Sequence, residues 1–425
     1  MNTPSPQTSL PSHVDVLIIG GGIIGAATAY ELSQRGKSVV LVDKGEIGHG
    51  CSYGNAGWIV PCGAHPLPMP GMILKSIGWL LDPTSPLYIK PRLSPSLASW
   101  LIRFLLSTNQ RLMKQSVTAL TELATYSLES FKKMEADYPG SLSFHQKGYL
   151  RLAGTEEGLR AALHDRNLAT EQGIRSQGLT AEEVHALEPH LKKGAFVGGV
   201  YYPDEAHVEP LAAVKTLIQA AQERGTIILP HTEVFDFVKQ GNRIEKVRTT
   251  RGDITATEVI LATGTWSEKM SRRLGSRIPI LGGKGYAITV KKISPSPQIP
   301  IMFIDRKIAI TPRDESIRLA GTMEIVDDDE SITTHRVETI LRGARELLHL
   351  PEKPEIIEVW RGLRPCTPDG VPVIGRSPRY HNLIIAAGHQ GVGLLTAPGT
   401  GRLVADLVCH EKPLFNPYPF RANRF

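Results

Sequence analysis

The sequence predicts an α/β protein in two parts: a parallel, Rossmann-like sheet assembled from distant stretches of chain, and a second, mostly antiparallel sheet with helices. Three observations carry this expectation. Residues 14–43, VDVLIIGGGIIGAATAYELSQRGKSVVLVD, read as a complete βαβ unit. Residues 258–265, EVILATGT, form an apolar strand running straight into Ala-Thr-Gly. Near the C-terminus, NLIIAAG precedes HQGVGLLTAPGTGRLVADLV, a second strand, glycine turn and helix.

In the first unit, 14–19 is an apolar run of strand length, and Gly20, Gly22 and Gly25 supply G-x-G-x-x-G. Residues 23–35 have a helical pattern that stops at Gly36, and 38–43 is a β-branched strand ending in an acid. Gly20 permits the tight turn, Gly22 lets backbone approach a pyrophosphate, and Gly25 lets helix pack closely on strand. The helix opening at Ile23 and Ile24 offers free N–H groups to phosphates. Asp43, followed by Lys44, can accept hydrogen bonds from a ribose diol. This unit alone does not choose between NAD and FAD.

Residues 61–95 are proline-rich, which precludes regular structure across much of the segment. An amphipathic helix follows, with Leu97, Trp100, Leu101, Phe104 and Leu105 at helical spacing, then a helix over 113–137. Residues 144–152 read as a strand, 156–172, 180–187 and 211–224 as helices, and 227–229, 234–238 and 245–249 as strands. Residues 278–290, 307–311 and 317–320 look like antiparallel strands and 337–349 like a helix.

The strand ending in Ala262-Thr263-Gly264, with Trp266 beyond, brings backbone close to a ligand at a strand's carboxyl end. The C-terminal unit lies some 370 residues after the first, so one cofactor domain draws on distant parts of the chain. A simple NAD module rarely needs that. An extended FAD does, held at one end by the N-terminal unit and over its ring by the C-terminal helix. The expected division is a cofactor domain of 13–62, 204–268 and 356–412, and a substrate domain of 63–203 and 269–355.

Composition narrows the classes. The chain has 425 residues, 41% hydrophobic and 21% charged, an ordinary globular balance. A net charge of +6 is mild and its cations are scattered, so nucleic acid is not an expected partner. Cys51, Cys62, Cys366 and Cys409 lack C-x-x-C spacing, so no metal site is expected. The leading MNTPSPQTSLPSH has neither a basic n-region nor an apolar h-region, so a cytoplasmic protein is expected.

These elements resemble the D-amino-acid oxidase superfamily of flavoproteins over nearly the whole chain. Within it the sequence is most similar to bacterial D-amino-acid dehydrogenases of small-subunit type, with D-hydroxyproline dehydrogenases and glycine oxidases as relatives. GCSYGNAGWIVP (50–61) resembles the dehydrogenases' flavin-contacting loop, implying that Ser52, Asn55, Ala56 and Gly57 touch cofactor. PMPGMILKSIGWLLDPTSPLYIKPRL resembles the dehydrogenase insert. WRGLRPCTPDGVPVIG matches the G-[LF]-R-P signature, which implies that Arg364 binds the substrate carboxylate, with Gly362 beside the flavin. A planar guanidinium suits that task because it pairs bidentately and is never neutral. GKGYAIT (283–289) resembles a strand over the flavin, making Tyr286 a candidate pocket wall or donor. AAGHQGVGLL resembles the turn facing the flavin pyrimidine end, implying contacts from Gly388, His389, Gln390, Gly391, Val392 and Gly393. Val234 joins the cofactor set, and His389 is a candidate catalytic group.

The resemblance implies FAD-dependent oxidative deamination of D-amino acids: a hydride passes from Cα to flavin N5, and the imino acid hydrolyses to 2-oxo acid and ammonia. Electrons would pass to quinone or an artificial acceptor. D-hydroxyproline dehydrogenation, an oxygen-using glycine or sarcosine oxidase, and a flavoprotein subunit of a hetero-oligomer stay open. Cys366 is offset from the cysteine that links flavin in sarcosine oxidases, which implies noncovalent FAD. Asp43 stands where many relatives have Glu. Met72, Ile73, Trp79, Leu80, Leu81, Trp100 and Leu101 beside Lys75, Lys90, Arg92 and Arg103 suit peripheral contact with the inner face of a membrane. Packing on the substrate domain or an oligomer interface is the alternative.

Overall fold

Because 14–19 is apolar at every position, both faces of its strand must be covered, and His13–Ile19 lies at the centre of the first sheet. The structure is a computed structural model and describes residues 11, 13–68, 87–89, 94–326 and 329–425. The parallel order is Ile227–Leu229, Val39–Val42, His13–Ile19, Gly252–Leu261, Leu383–Ala387. Val373–Arg376 adds an antiparallel edge. The long Gly252–Leu261 strand also continues into an antiparallel ribbon with Arg243–Thr249 and Val234–Gln240.

Strand alternation divides the core. Val16, Ile18 and Leu41 face helices Ile23–Gln34, Gln110–Asp137, Pro210–Gln222 and Gly393–Val408, while Leu17, Ile19 and Val42 face the ribbon side with Phe237 and Ile244. Each fully buried aliphatic side chain contributes about 1.5–3 kcal/mol. Helix Gln110–Asp137 begins earlier than its apolar pattern, since Asn109 caps it by accepting from the Arg111 and Leu112 amides.

The second sheet runs Ile356–Cys366, Leu281–Lys291, Ser316–Val326, Ile308–Pro312, Ile301–Phe303, Tyr149–Ala153, Gly198–Tyr202, Gln177–Thr180. It is antiparallel except where Ile301–Phe303 meets Tyr149–Ala153 and where Leu87–Ile89 joins Ser316–Val326. Strand Ile356–Cys366 pairs along its length with Leu281–Lys291, so the Arg364 strand belongs to this second sheet although it was expected with the cofactor domain. The strand expected at 144–152 is confined to Tyr149–Ala153, because His145 exchanges backbone bonds with His207 instead.

In helix Pro95–Ser107, Leu97, Trp100 and Phe104 are buried as their spacing requires. Trp100 is thereby corrected as an interfacial anchor, since it is 2% exposed and its Nε1 donates to the Cys366 carbonyl at 3.0 Å. Met72, Ile73, Lys75, Trp79, Leu80, Leu81, Lys90 and Arg92 lie outside the described residues.

Candidate active site

Parallel strands deliver their carboxyl ends to one edge, and a cavity of about 350 Å³ lies there. It is built first from Gly20 and Gly22, Ile23 and Ile24 at the helix start, and Asp43 and Lys44 after the second strand. Ser52, Asn55, Val234, Ala262, Thr263, Gly264 and Trp266 continue the wall, and His389, Gln390 and Gly393 close the other end. Gly20 has φ +112°, and a Cβ there would overlap the Ala262 carbonyl. At Gly25 a Cβ would overlap the Gly20 carbonyl oxygen, so the helix rests on the turn only because hydrogen occupies that position.

The polar groups are disposed for a dinucleotide. Ser52 Oγ accepts from the Ile23 amide at 3.0 Å, joining the 50–57 loop to the helix start. Asp43 accepts from Gly21 N at 2.6 Å and Gly45 N at 2.9 Å, one bond per oxygen, which leaves lone pairs for further donors. Lys44 Nζ lies 4.0 Å from the Trp266 ring centroid, a cation–π wall. At the far end no side chain among the described residues caps helix Gly393–Val408, so its first N–H groups point at the cavity. Gln390 Nε2 and Thr265 Oγ1, both on lining residues, are buried without a hydrogen-bond partner among the described residues. Orphaned donors beside a glycine cradle and a free helix start fit a bound dinucleotide.

Not every expected residue lines this space. Gly25 sits beneath the turn, Gly57 packs against the Val208 carbonyl, and Gly388 packs against Thr367. Ala56 packs with Trp58 and Trp360, and the Trp360 indole lies over Gly362. Val392 is the residue before helix Gly393–Val408 and packs into the core. Cys51 and Leu363 line the cavity from the two segments expected at the cofactor, and Glu46, His49, Thr232 and Met270 line it too without having been anticipated, since only folding brings their loops to this edge.

Arg364 does not itself line the cavity; it lies between two residues that do, Leu363 and Pro365. Its guanidinium lies over Gly285 and its stem near Gly391; a Cβ at Gly285 would overlap it. Nη1 donates to the Thr322 carbonyl at 3.0 Å. No carboxylate among the described residues forms an ion pair with it. His389 is 3% exposed, with Nε2 3.1 Å from Thr400 Oγ1, and burial lowers its pKa to about 3. It is therefore a neutral imidazole bound to a helix hydroxyl at ordinary pH.

Tyr286 requires correction as a pocket wall. It is fully buried away from the cavity and its hydroxyl donates to Glu324 Oε2 at 2.8 Å. Along the strand, Gly283 and Gly285 share the Arg364 face, whereas Lys284 and Tyr286 share the opposite face, where Glu324 bonds the tyrosine hydroxyl and holds it in the core. Cys366 is also buried, with its sulfur near Gly283 and Met323, and burial pushes its thiol up to about 12.

A glycine-cradled cavity at the carboxyl edge of a parallel sheet, with a strand of an antiparallel sheet contributing Leu363 and Pro365 to its wall, is the arrangement of a dinucleotide-dependent oxidoreductase. The chain belongs to the DAO family: the model described as FAD dependent oxidoreductase matches residues 15–407. It is 31% identical over 400 residues to the D-amino acid dehydrogenase of Vibrio atlanticus (strain LGP32), covering 93% of this chain and 96% of that protein. Among solved structures it is similar to glycine oxidase from Geobacillus kaustophilus, with TM-score 0.78, 27% identity and coverage of 98% and 100%. The fold is shared with L-proline dehydrogenase from P.horikoshii, at TM-score 0.80 and 23% identity, over 98% of each chain.

Proposed function

We propose that this protein is an FAD-dependent amino-acid dehydrogenase acting on D-amino acids. FAD, when bound, supplies the two-electron acceptor for hydrogen leaving Cα. Everything else falls to the protein. Arg364 binds the substrate carboxylate in this reading, and the observation that carries it is a guanidinium without an ion pair to any described carboxylate, on the strand segment whose Leu363 and Pro365 line the cavity. His389 is neutral and bonded to Thr400, and in this reading the amine enters unprotonated and needs no dedicated base. The N–H groups opening helix Gly393–Val408 would stabilise negative charge on the flavin when it is bound. The similar dehydrogenases support the substrate class, and quinone is the proposed acceptor. Similarity to glycine oxidase supports a second reading, with glycine or another small amine as substrate and oxygen as acceptor.

The cofactor domain is proposed to comprise 13–62, 204–268 and the chain after the Arg364 strand to 412, the remainder forming the substrate domain. FAD binding is proposed to be noncovalent, supported by the burial of Cys366 away from the cavity. The proposed location is the cytoplasm, at the inner membrane face. Among the described residues no helix is long and apolar enough to cross a membrane. Helix Pro95–Ser107, however, exposes Ile102, Leu105 and Leu106 beside Arg103, an arrangement suited to lying on a lipid surface.

The deciding experiment measures turnover on D-amino acids, glycine, sarcosine and cis-4-hydroxy-D-proline, under air and with an artificial quinone. Faster turnover of D-amino acids with quinone is expected. Oxygen-dependent turnover confined to glycine or sarcosine would replace the first reading by the second. An Arg364→Ala enzyme should lose on the order of 2–4 kcal/mol in kcat/KM. A near-normal value would remove Arg364 from the site.

A further inference from the structure

On the face of the second sheet opposite Arg364 lies a buried charged hub. Tyr286 Oη donates to Glu324 Oε2 at 2.8 Å, and Lys284 Nζ lies 3.4 Å from the same oxygen. Arg336 Nε lies 3.5 Å from Glu324 Oε1. Lys284 also donates to Asp329 at 3.0 Å and to the Ser331 carbonyl at 3.2 Å. Lys284, Glu324 and Arg336 are buried with Tyr286, so these three charges have little solvent to lean on, whereas Asp329 is partly exposed.

The hub straddles an irregularity in the sheet. Lys284 pairs with Glu324, but Tyr286 pairs with Gly321, so two steps along one strand match three along the other. Thr322 lies inside this bulge with φ +55°, a left-handed conformation that a β-branched residue avoids. Its carbonyl is the one that accepts from Arg364 Nη1. The strain persists only if the neighbours over-determine it, and the three residues flanking the bulge, Lys284, Tyr286 and Glu324, are bonded to one another.

We propose that Glu324 is a positioning residue for substrate binding: it locks the bulge that turns the Thr322 carbonyl onto Arg364, and so fixes the guanidinium that receives the substrate carboxylate. This rests on the reading of Arg364 as the carboxylate anchor. Glu324 touches no substrate, and its effect passes through Thr322 and Arg364. A bulge free to slip would let Thr322 relax to an ordinary strand conformation and withdraw its carbonyl.

The test uses the full-length FAD-loaded protein, with steady-state kinetics and a calorimetric titration with propionate, an unreactive carboxylate. Glu324→Gln should raise KM and the propionate dissociation constant about tenfold, the size of one misplaced charge-assisted bond, while kcat moves less than about twofold. Added to Arg364→Ala, the same change should raise neither quantity by more than about twofold, because its route to the substrate is gone. Thr322→Gly, for which the left-handed conformation is not strained, should restore much of the lost affinity in the Glu324→Gln protein. Tyr286→Phe removes one bond and keeps the charge balance; it should raise KM about threefold and serves if Glu324→Gln does not fold. Loss of propionate binding in Arg364→Ala with no change in Glu324→Gln or Tyr286→Phe would overturn the positioning role alone. Equal effects of Glu324→Gln with and without Arg364 would overturn it too. Unchanged propionate binding in Arg364→Ala would take down the anchor and this proposal together.

Discussion

Replacing Glu205 by glutamine should change how stability depends on pH. Glu205 is 2% exposed and lies against Cys62, near Tyr149. One oxygen accepts from Cys62 N at 3.1 Å, and Oε2 has no partner among the described residues. Burial raises its pKa from 4.5 to about 8, against the lowering effect of the Cys62 amide. Below pH 4.5 folded and unfolded chains both carry the proton. Between 4.5 and 8 the unfolded chain ionises while the folded one keeps its proton, so stability falls as pH rises and levels off above 8. At about 1.4 kcal/mol per pH unit, that interval corresponds to roughly 5 kcal/mol. Glutamine is neutral throughout and keeps the acceptor for Cys62 N. Urea unfolding of both proteins at saturating FAD, at pH 5 and pH 8.5, gives the difference directly. Glu205→Gln should gain several kcal/mol on wild type between the two values. The comparison also cancels His207 and His389, whose pKa values are lowered to about 4 and 3 and whose contributions rise with pH instead. A difference independent of pH, or one that shrinks as pH rises, would refute a protonated buried Glu205.

Gly25→Ala should reduce FAD affinity about fivefold to a hundredfold, since its methyl overlaps the Gly20 carbonyl and overpacking of this kind costs about 1–3 kcal/mol. Tryptophan-fluorescence titration of the apoprotein with FAD measures this, and unaltered affinity would mean that the turn relaxes freely. Acid precipitation should release the flavin into the supernatant, from wild type and from Cys51→Ser alike; flavin retained with the pellet would contradict noncovalent binding. Ile102→Ser/Leu106→Ser should lower co-sedimentation with anionic liposomes, because these side chains are 58% and 73% exposed. Equal, negligible sedimentation of variant and wild type would leave the helix without a membrane role.

The cofactor half of the site was legible in the sequence because its chemistry is local. Gly20, Gly22, Gly25 and Asp43 lie within one βαβ unit, where the turn, the helix start and the next strand end are fixed by neighbours in the chain. The glycines of 262–264 and 388–393 follow the same rule, a strand end followed by a backbone that needs room. Arg364 was legible as a motif, but not the strand that carries it into the second sheet. Pairing with Leu281–Lys291 joins residues some eighty positions apart, and no local pattern encodes such a partner. Tyr286 marks the boundary most clearly. The sequence set its strand and its neighbours; the pleat, together with a bulge that appears only when Leu281–Lys291 meets Ser316–Val326, decided which face it occupies. Glu46, Thr232 and Met270 came to the cavity wall in the same way, because chain order specifies strands and turns whereas the meeting of distant loops depends on how the elements pack at one edge.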